Sequence, residues 1–350
     1  MPHISARPSR IRTRRLLLVG LALLCALVMA ATGCSGDGDG KDPGNPASRS
    51  AGDGKSLRVE RIASANPGSV NTYWFPAPEG LIVVDTQRSL TDARRALKTL
   101  QGTAKPAVAV LITHPHPDHV GGAGVLHDAY PKAGIYASEA SRDFMRDDPL
   151  GFYKLTRKLP GSDYAKKLTL PDHLIRPGAA LDAGGIRLET AEFGPGESVT
   201  TTAYYEPRSG ALFAGDLVNN EATPALIEGN TCGWLTDLDR LEDKFPDART
   251  LYPGHGAPGA PAELIGRQRD YLVHIRHLVR PTVAASSPGG EKVTREEKNS
   301  AIAELKRSYP GFQPVATLPD LHAVNVDAVA RELRGEDSGR LPEACRERAN

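Results

Sequence analysis

The stretch "THPHPDHVGG" (113–122) places His114, His116, Asp118 and His119 within six residues. It follows "AVAVLI" (107–112), an apolar run with β-branched residues that reads as a buried strand. Imidazole nitrogens and carboxylate oxygens are the usual ligands of zinc and similar divalent ions. Four such groups on one short loop cannot all close comfortably on a single ion. The spacing divides them, His114 and His116 to one cation, Asp118 and His119 to a second. Two cations need more ligands than one loop provides, so the fold must bring distant segments to this strand end.

The rest of the chain supplies strand ends at intervals. "VNTYWF" (70–75) and "GLIVVDT" (80–86) read as strands separated by a Pro/Gly turn, with "LRVERI" (57–62) before them. "SLTDARRALKTLQ" (89–101) reads as a helix, opened by Ser89 with Asp92 and carrying an apolar stripe. "GIYAS" (134–138) is a further strand, and a helix starts at "EASRDFMR" (139–146). Residues 147–172 are polar and mixed and read only as a helical insert or lid. A β series follows at 185–193, 199–207 and 210–216, the last two joined by a short hairpin turn. A helix is expected at 235–245, a strand at 249–256, a helix with Pro261 at its start over 261–279, and two more at 294–308 and 323–334. Chemically capable residues sit at strand ends: 114–119, 197, 216 and 255. Convergence of such loops is how an α/β sheet builds a pocket.

With these residues in view, "THPHPDHVGG" resembles the first metal motif of the metallo-β-lactamase-fold superfamily. The similarity runs from about 57 to 280. It includes "NTYWF…GLIVVDTQ", with Asp85 near a strand end. It also includes "LFAGD", which nominates Asp216, and "LYPGHG", which nominates His255. Their order and spacing make the weaker motifs specific. The resemblance implies an α/β fold, an αββα sandwich with metals at one edge, here followed by a C-terminal helical extension. It implies two zinc ions, with Mn²⁺ or Fe²⁺ as alternatives, and a metal-dependent hydrolase in which Asp118 orients the attacking water and handles a proton.

One position departs from the pattern. The family usually carries a histidine after a Pro-Gly turn about 20 residues before the aspartate. Here "FGPGESVTT" puts Glu197 at that place, 19 residues before Asp216. Glu197 can be an oxygen ligand, as the alkyl-sulfatase branch of the family resembles in using a glutamate there. Alternatively the first metal site is weak, leaving one ion on Asp118, His119, Asp216 and His255. Or catalysis has been lost. A carboxylate ligand would favour harder ions and lower the Lewis acidity of its cation.

The N-terminus reads as targeting sequence. "RIRTRR" precedes a 16-residue apolar run (16–31) and "ATGC", ending at Cys34. The run is short for a spanning helix. The pattern resembles a bacterial lipoprotein signal over 1–33, with Cys34 lipidated. Residues 34–56 are Gly/Ser/Asp/Pro-rich and read as a flexible tether. The expected organisation is completed by a catalytic domain over 57–280 and a helical extension and tail over 281–350. The protein is therefore expected to be exported and held on the outer face of the cell membrane by its lipid. Cys232 and Cys345, the two other cysteines of the mature chain, form an even pair in an exported protein and are candidates for a disulfide.

Composition excludes one class of partner. The first 33 residues hold five of the 43 basic residues and none of the 42 acidic ones, so the remainder has four more acids than bases. That is not a nucleic-acid surface. The expected substrate is a small exported ester, lactone, thioester or amide, β-lactams included. The alternatives are a sulfate or phosphate ester, or a non-catalytic metal-binding lipoprotein. "EGNTCGW" (228–234) is expected in a loop near the metals, with Trp234 more readily a core residue than a pocket wall. His274, His277 and His322 read as helix surface or packing residues.

Overall fold

The structure is a computed structural model and describes residues 57–63, 69–159, 161–284, 293–315, 320–336 and 340–346. The signal-like segment, Cys34 and the tether lie outside the described residues. No helix among the described residues is long and apolar enough to cross a membrane.

The first half contains β1 (Glu60–Ala63), β2 (Asn71–Ala77), β3 (Gly80–Val84), α1 (Leu90–Gln101), β4 (Ala107–Leu111), α2 (Pro117–Val120), α3 (Ala123–Ala129), β5 (Gly134–Ser138), α4 (Glu139–Asp147), α5 (Phe152–Lys158) and β6 (His173–Ile175). Its strands form one six-stranded sheet in chain order. β1, β2 and β3 pair antiparallel, and β3 through β6 run parallel. The crossover β3–α1–β4 therefore leaves the end of β4, and with it the histidine loop, at the edge where parallel α/β sheets build sites. Ser89 caps α1 by accepting from the Asp92 amide, as its sequence position suggests.

The second half contains β7 (Leu181–Ala183), β8 (Ile186–Phe193), β9 (Thr201–Glu206), β10 (Ala211–Gly215), β11 (Ala222–Thr223), α6 (Thr231–Lys244), β12 (Thr250–Pro253), α7 (Pro261–Ala284), α8 (Arg295–Ser308), β13 (Gln313–Pro314) and α9 (Leu321–Gly335). Its main sheet has the order β12-β10-β9-β8-β7, and β11 pairs with β13.

Alternation along the strands dictates the layering. On β2, Tyr73, Phe75 and Ala77 face one way and Trp74 the other. On β10, Ala211 and Phe213 oppose Leu212 and Ala214. Tyr73, Phe75, Leu111, Tyr204 and Phe213 meet between the two sheets, with the Phe75 and Phe213 rings stacked 5.2 Å apart. Trp74, Val83 and Val110 pack under the first-half helices, and Leu212, Trp234, Leu238 and Ile275 under the second-half helices. Burying each large apolar side chain contributes about 1.5–3 kcal/mol. The result is the αββα sandwich. Val326, Val329, Leu333 and Cys345 share the second outer layer with α6 and α7, so the C-terminal helices complete that layer.

Three sequence expectations need correction. α6 begins at Thr231, so only 228–230 of "EGNTCGW" is loop; Trp234 is in the core, as expected, its indole donating to the Leu217 carbonyl. α7 continues through Pro281 instead of stopping at 279. The short strands β6 and β7 have no clear counterpart in the pattern reading.

Candidate metal centre

The seven candidate ligands come from four segments and meet at one edge of the sandwich. His114 and His116 follow β4, and Asp118 and His119 lie on α2. Glu197 stands in the turn after β8, Asp216 ends β10, and His255 follows β12. Except for Asp118, all are buried. Three groups of ligand atoms lie within 4.8 Å of one another: His114, His116 and Glu197; Asp118, His119 and His255; and His114, His119 and Asp216. The division of the histidine loop between two centres is thus present in the geometry, with His114, His119 and Asp216 between them.

Local backbone chemistry allows the convergence. A Cβ on Gly122 would fall 1.9 Å from the Thr86 carbonyl oxygen, so only glycine lets α2 and α3 tuck beneath the loop after β3. A Cβ on Gly254 would fall 1.7 Å from Asp216 Oδ1, so the glycine of "PGHG" leaves room for the carboxylate.

Hydrogen bonds fix which imidazole nitrogens are bare. The Thr113 hydroxyl donates to Asp85 Oδ2 at 2.8 Å, so it can only accept from His114 Nδ1, 3.0 Å away. His114 Nε2 therefore carries a lone pair, and it faces Glu197 Oε2 at 3.5 Å. His119 Nδ1 lies 2.8 Å from Asp85 Oδ2 and donates to it, turning Nε2 toward Asp216 Oδ1 at 3.2 Å. His116 Nε2 meets Glu228 Oε1 at 2.9 Å, leaving Nδ1 3.0 Å from Glu197 Oε1. His255 Nε2 lies 3.2 Å from Asp216 Oδ2 and 3.3 Å from Asp118 Oδ2.

Bare nitrogens facing carboxylate oxygens repel unless a cation or a proton lies between them. The buried atoms His114 Nε2, His119 Nε2, His255 Nε2, Glu197 Oε2 and Asp216 Oδ1 have no hydrogen-bond partner. Five carboxylates, Asp85, Asp118, Glu197, Asp216 and Glu228, pack against four imidazoles. The electrostatics carry the same message. Burial would raise Asp216, but His255 and His119 outweigh it and hold the carboxyl well below its usual range. Burial would lower His255, but Asp216 and Asp118 hold it up to about 9. Glu197 is pushed by burial up to about 7, against the pull of His116. Burial, reinforced by His119 and His116, pushes His114 well below its usual value. Divalent cations fit this donor set.

Sequence reading did not assign Asp85, Thr113 or Glu228 to the site. Asp85 had a signal, as an acid directly after β3, and it takes φ +58° to aim its carboxylate at His119 and Thr113. Glu228 had none. Cys232 and Cys345 are joined by a disulfide with Cα atoms 5.5 Å apart, tying the tail to the start of α6. His173 is exposed beside Asp172, and His274, His277 and His322 lie on α7 and α9 outside the ligand groups.

A buried cluster of imidazoles and carboxylates at the edge of an αββα sandwich defines a metallohydrolase. The sequence pattern describing the Metallo-beta-lactamase superfamily matches residues 65–255, and the chain belongs to that superfamily. It is similar to a hydroxyacylglutathione hydrolase of Synechococcus sp. (strain JA-3-3Ab), 30% identical over 199 residues, 57% of this chain and 68% of that one. It is also similar to a metallo-beta-lactamase type 2 of Bacteroides fragilis, 27% identical over 179 residues, 50% of this chain and 60% of that one. The chain spans 55% to 68% of the length of the first four curated relatives it matches. Among solved structures, a metallo-beta-lactamase family protein of Thermus thermophilus aligns with a TM-score of 0.56 at 22% identity, covering 79% of this chain and 91% of that one. A sec-alkylsulfatase of Pseudomonas sp. aligns with a TM-score of 0.54 at 18% identity, covering 77% and 48%. These two likenesses concern the fold.

Proposed function

We propose that the protein hydrolyses a small ester, lactone, thioester or amide, with β-lactams within that range. In this reading His114, His116 and Glu197 hold one cation, and Asp118, His119, Asp216 and His255 hold the other. The observation that carries it is the set of buried, partnerless ligand atoms that face one another across 3.2–3.5 Å. Bound divalent ions supply Lewis-acid polarisation of the scissile group and bring the pKa of water toward about 7.

The chain's own residues do the remainder. Asp118 is the ligand carboxylate most open to the cleft, with 19% of its side chain exposed. It is placed to orient the attacking water and to pass a proton to the leaving group, with His255 Nε2 3.3 Å behind it. Asp85 and Glu228 hold His119 and His116 in the orientations that leave one nitrogen of each bare. Phe152, Ile227 and Val315 line the cleft above its polar floor. The test is a screen of lactone, thioester, ester, β-lactam, sulfate and phosphate substrates against the zinc-, manganese- and iron-loaded protein. Turnover of a carbonyl substrate supports the reading, and binding of two metals with no turnover of any of them contradicts it.

Glu197 favours a second reading, hydrolysis of a sulfate ester. The position matches the glutamate-bearing branch of the family, and the Pseudomonas sec-alkylsulfatase shares the fold. The sulfate arm of the same screen decides between them.

The N-terminal pattern supports a further proposal, export and anchoring through lipidated Cys34. The Cys232–Cys345 disulfide suits an oxidising compartment. Wild type should incorporate labelled palmitate and Cys34→Ala should not; an unlipidated mature chain starting at another residue overturns the anchor.

A further inference from the structure

The insert between β5 and β6 builds one wall of the cleft. Phe152, Leu155, Thr156 and Leu159 all line it. Their spacing is i, i+3, i+4 and i+7, which puts them on one helical face. That face is apolar although the rest of α5 is charged, with Lys154, Arg157 and Lys158 elsewhere. Leu155 is 49% exposed, one of few large apolar side chains left open. The opposite face is anchored. Tyr153 is buried, its hydroxyl donates to the Pro115 carbonyl between two ligand histidines, and Asp148 accepts from the Tyr153 and Lys154 amides. The Phe152 ring stands edge-on to the His116 ring at 5.6 Å. The wall is therefore held at a fixed distance from the ligand cluster.

The facing wall comes from the C-terminal half and is apolar as well. Ala225 and Ile227 lie on the loop before α6, and Val315 follows β13. That loop is pinned from behind by Asn325 of α9, which accepts from the Leu226 amide and donates to the Pro224 carbonyl, both at 2.8 Å. The floor of the same cleft is polar, formed by His116, Asp118, Glu197 and Asp216. Arg88 and Thr156 also line the cleft, but the two facing walls are mostly apolar over a polar floor, an arrangement that suits a molecule with a hydrolysable head and a hydrocarbon tail.

We propose, building on the hydrolase reading above, that the cleft between α5 and the 225–227 loop is a subsite for a hydrocarbon chain carried by the substrate. The tail lies along Phe152, Leu155 and Leu159 against Ile227 and Val315, and the scissile group rests at Asp118. The shared chemistry is a hydrocarbon chain, on the acyl side of a carboxylic ester or on the alkyl side of a sulfate.

The test uses the metal-loaded full chain and reads binding and turnover separately. Straight-chain alkanols from butanol to decanol are titrated by NMR, because they are neutral and carry no cleavable bond. Affinity should rise about two- to fourfold per methylene and level off once the tail passes Leu155. In parallel, p-nitrophenyl esters from acetate to decanoate and alkyl sulfates of matching length are assayed for kcat/KM. A gradient in the first series puts the chain on the acyl side, and in the second on the alkyl side. Leu155→Asn and Ile227→Ser should each cut the preference for octanol over butanol at least threefold. Equal affinity for butanol and octanol, or a gradient that neither substitution moves, overturns the subsite. A binding gradient without turnover of either series leaves the subsite standing and removes carboxylic esters and alkyl sulfates from the substrate range. Turnover of short esters without a gradient does the reverse.

Discussion

His119 and His116 are three residues apart, yet segments far from each other in the sequence hold their second nitrogens. Asp85, just after β3, accepts a hydrogen bond from His119 Nδ1 and also accepts from the Thr113 amide and hydroxyl. Asp85 and Thr113 follow the adjacent parallel strands β3 and β4, and His119 lies on α2 just beyond. His116 instead leans on Glu228, 112 residues away, on a loop whose position depends on the C-terminal helices. The carboxylates that face the two histidines differ too. Asp216 has histidines on both oxygens and sits well below its usual pKa, despite its burial. Glu197 is pushed up to about 7 by burial, with His116 as its main counterweight. One half of the centre is braced by the sheet core and the other by a long-range scaffold. The first half matches the family pattern throughout, and the second carries the glutamate that departs from it.

Removing a group from the sheet-braced half should have the largest consequence. Asp216→Asn weakens the acceptor of two histidines and should cost several kcal/mol of charge stabilisation, roughly 10³-fold in turnover. Metal content should fall by about one ion per chain, read by elemental analysis. Full metal content would remove Asp216 from the ligand set.

The scaffolded half can be loosened from a distance. The Cys232–Cys345 bridge closes a separation of 113 residues. A Cys232→Ser/Cys345→Ser double variant should lose about 2–4 kcal/mol of stability in denaturant unfolding. Its metal loss should be confined to the cation on His116, because α6 follows directly from the Glu228 loop. Equal loosening of both cations would erase the distinction between the halves.

Next in size are the two orienting carboxylates. Glu228→Gln should weaken one cation, and Asp85→Asn the other, each by about 10- to 100-fold. Competition with a chromophoric chelator separates the two dissociation constants. If both variants weaken the same cation, the assignment of Glu228 to one half and Asp85 to the other is wrong.

What was readable in the sequence follows the same divide. His114, His116, Asp118 and His119 announce themselves as a ligand cluster after an apolar strand, a local signal, whereas Asp216 and His255 stand at strand ends but are nominated through the resemblance. The αββα layering was legible only through the resemblance to the superfamily; the local patterns separated strands from helices without layering them. Glu228 was not legible, since a lone glutamate between a two-residue strand and a helix has no pattern around it. The start of α6 was misread for a physical reason. No side chain of Asn230 caps the helix; Glu332 accepts from the Thr231 and Cys232 amides at 2.9 Å instead, from about 100 residues away. Gly233 looked like a loop residue, but a Cβ there would fall 2.2 Å from the Pro195 carbonyl oxygen, so it lets α6 approach the turn that carries Glu197. The insert over 147–172 read as polar because the apolar stripe of α5 faces a cleft, with charges on either side. Local patterns exposed the chemistry, and distant contacts hid the supports.

The role of Glu197 is the central point, and one comparison of metal content tests it most directly. Wild type, Glu197→Ala and Glu197→His are to be loaded with zinc, dialysed and measured for ions per chain. Wild type should hold two ions, Glu197→Ala one, and Glu197→His two, with the histidine variant favouring zinc over manganese more strongly than wild type does. Two ions bound equally tightly by wild type and Glu197→Ala would contradict the account, since His114 and His116 would then hold their cation without the carboxylate between them.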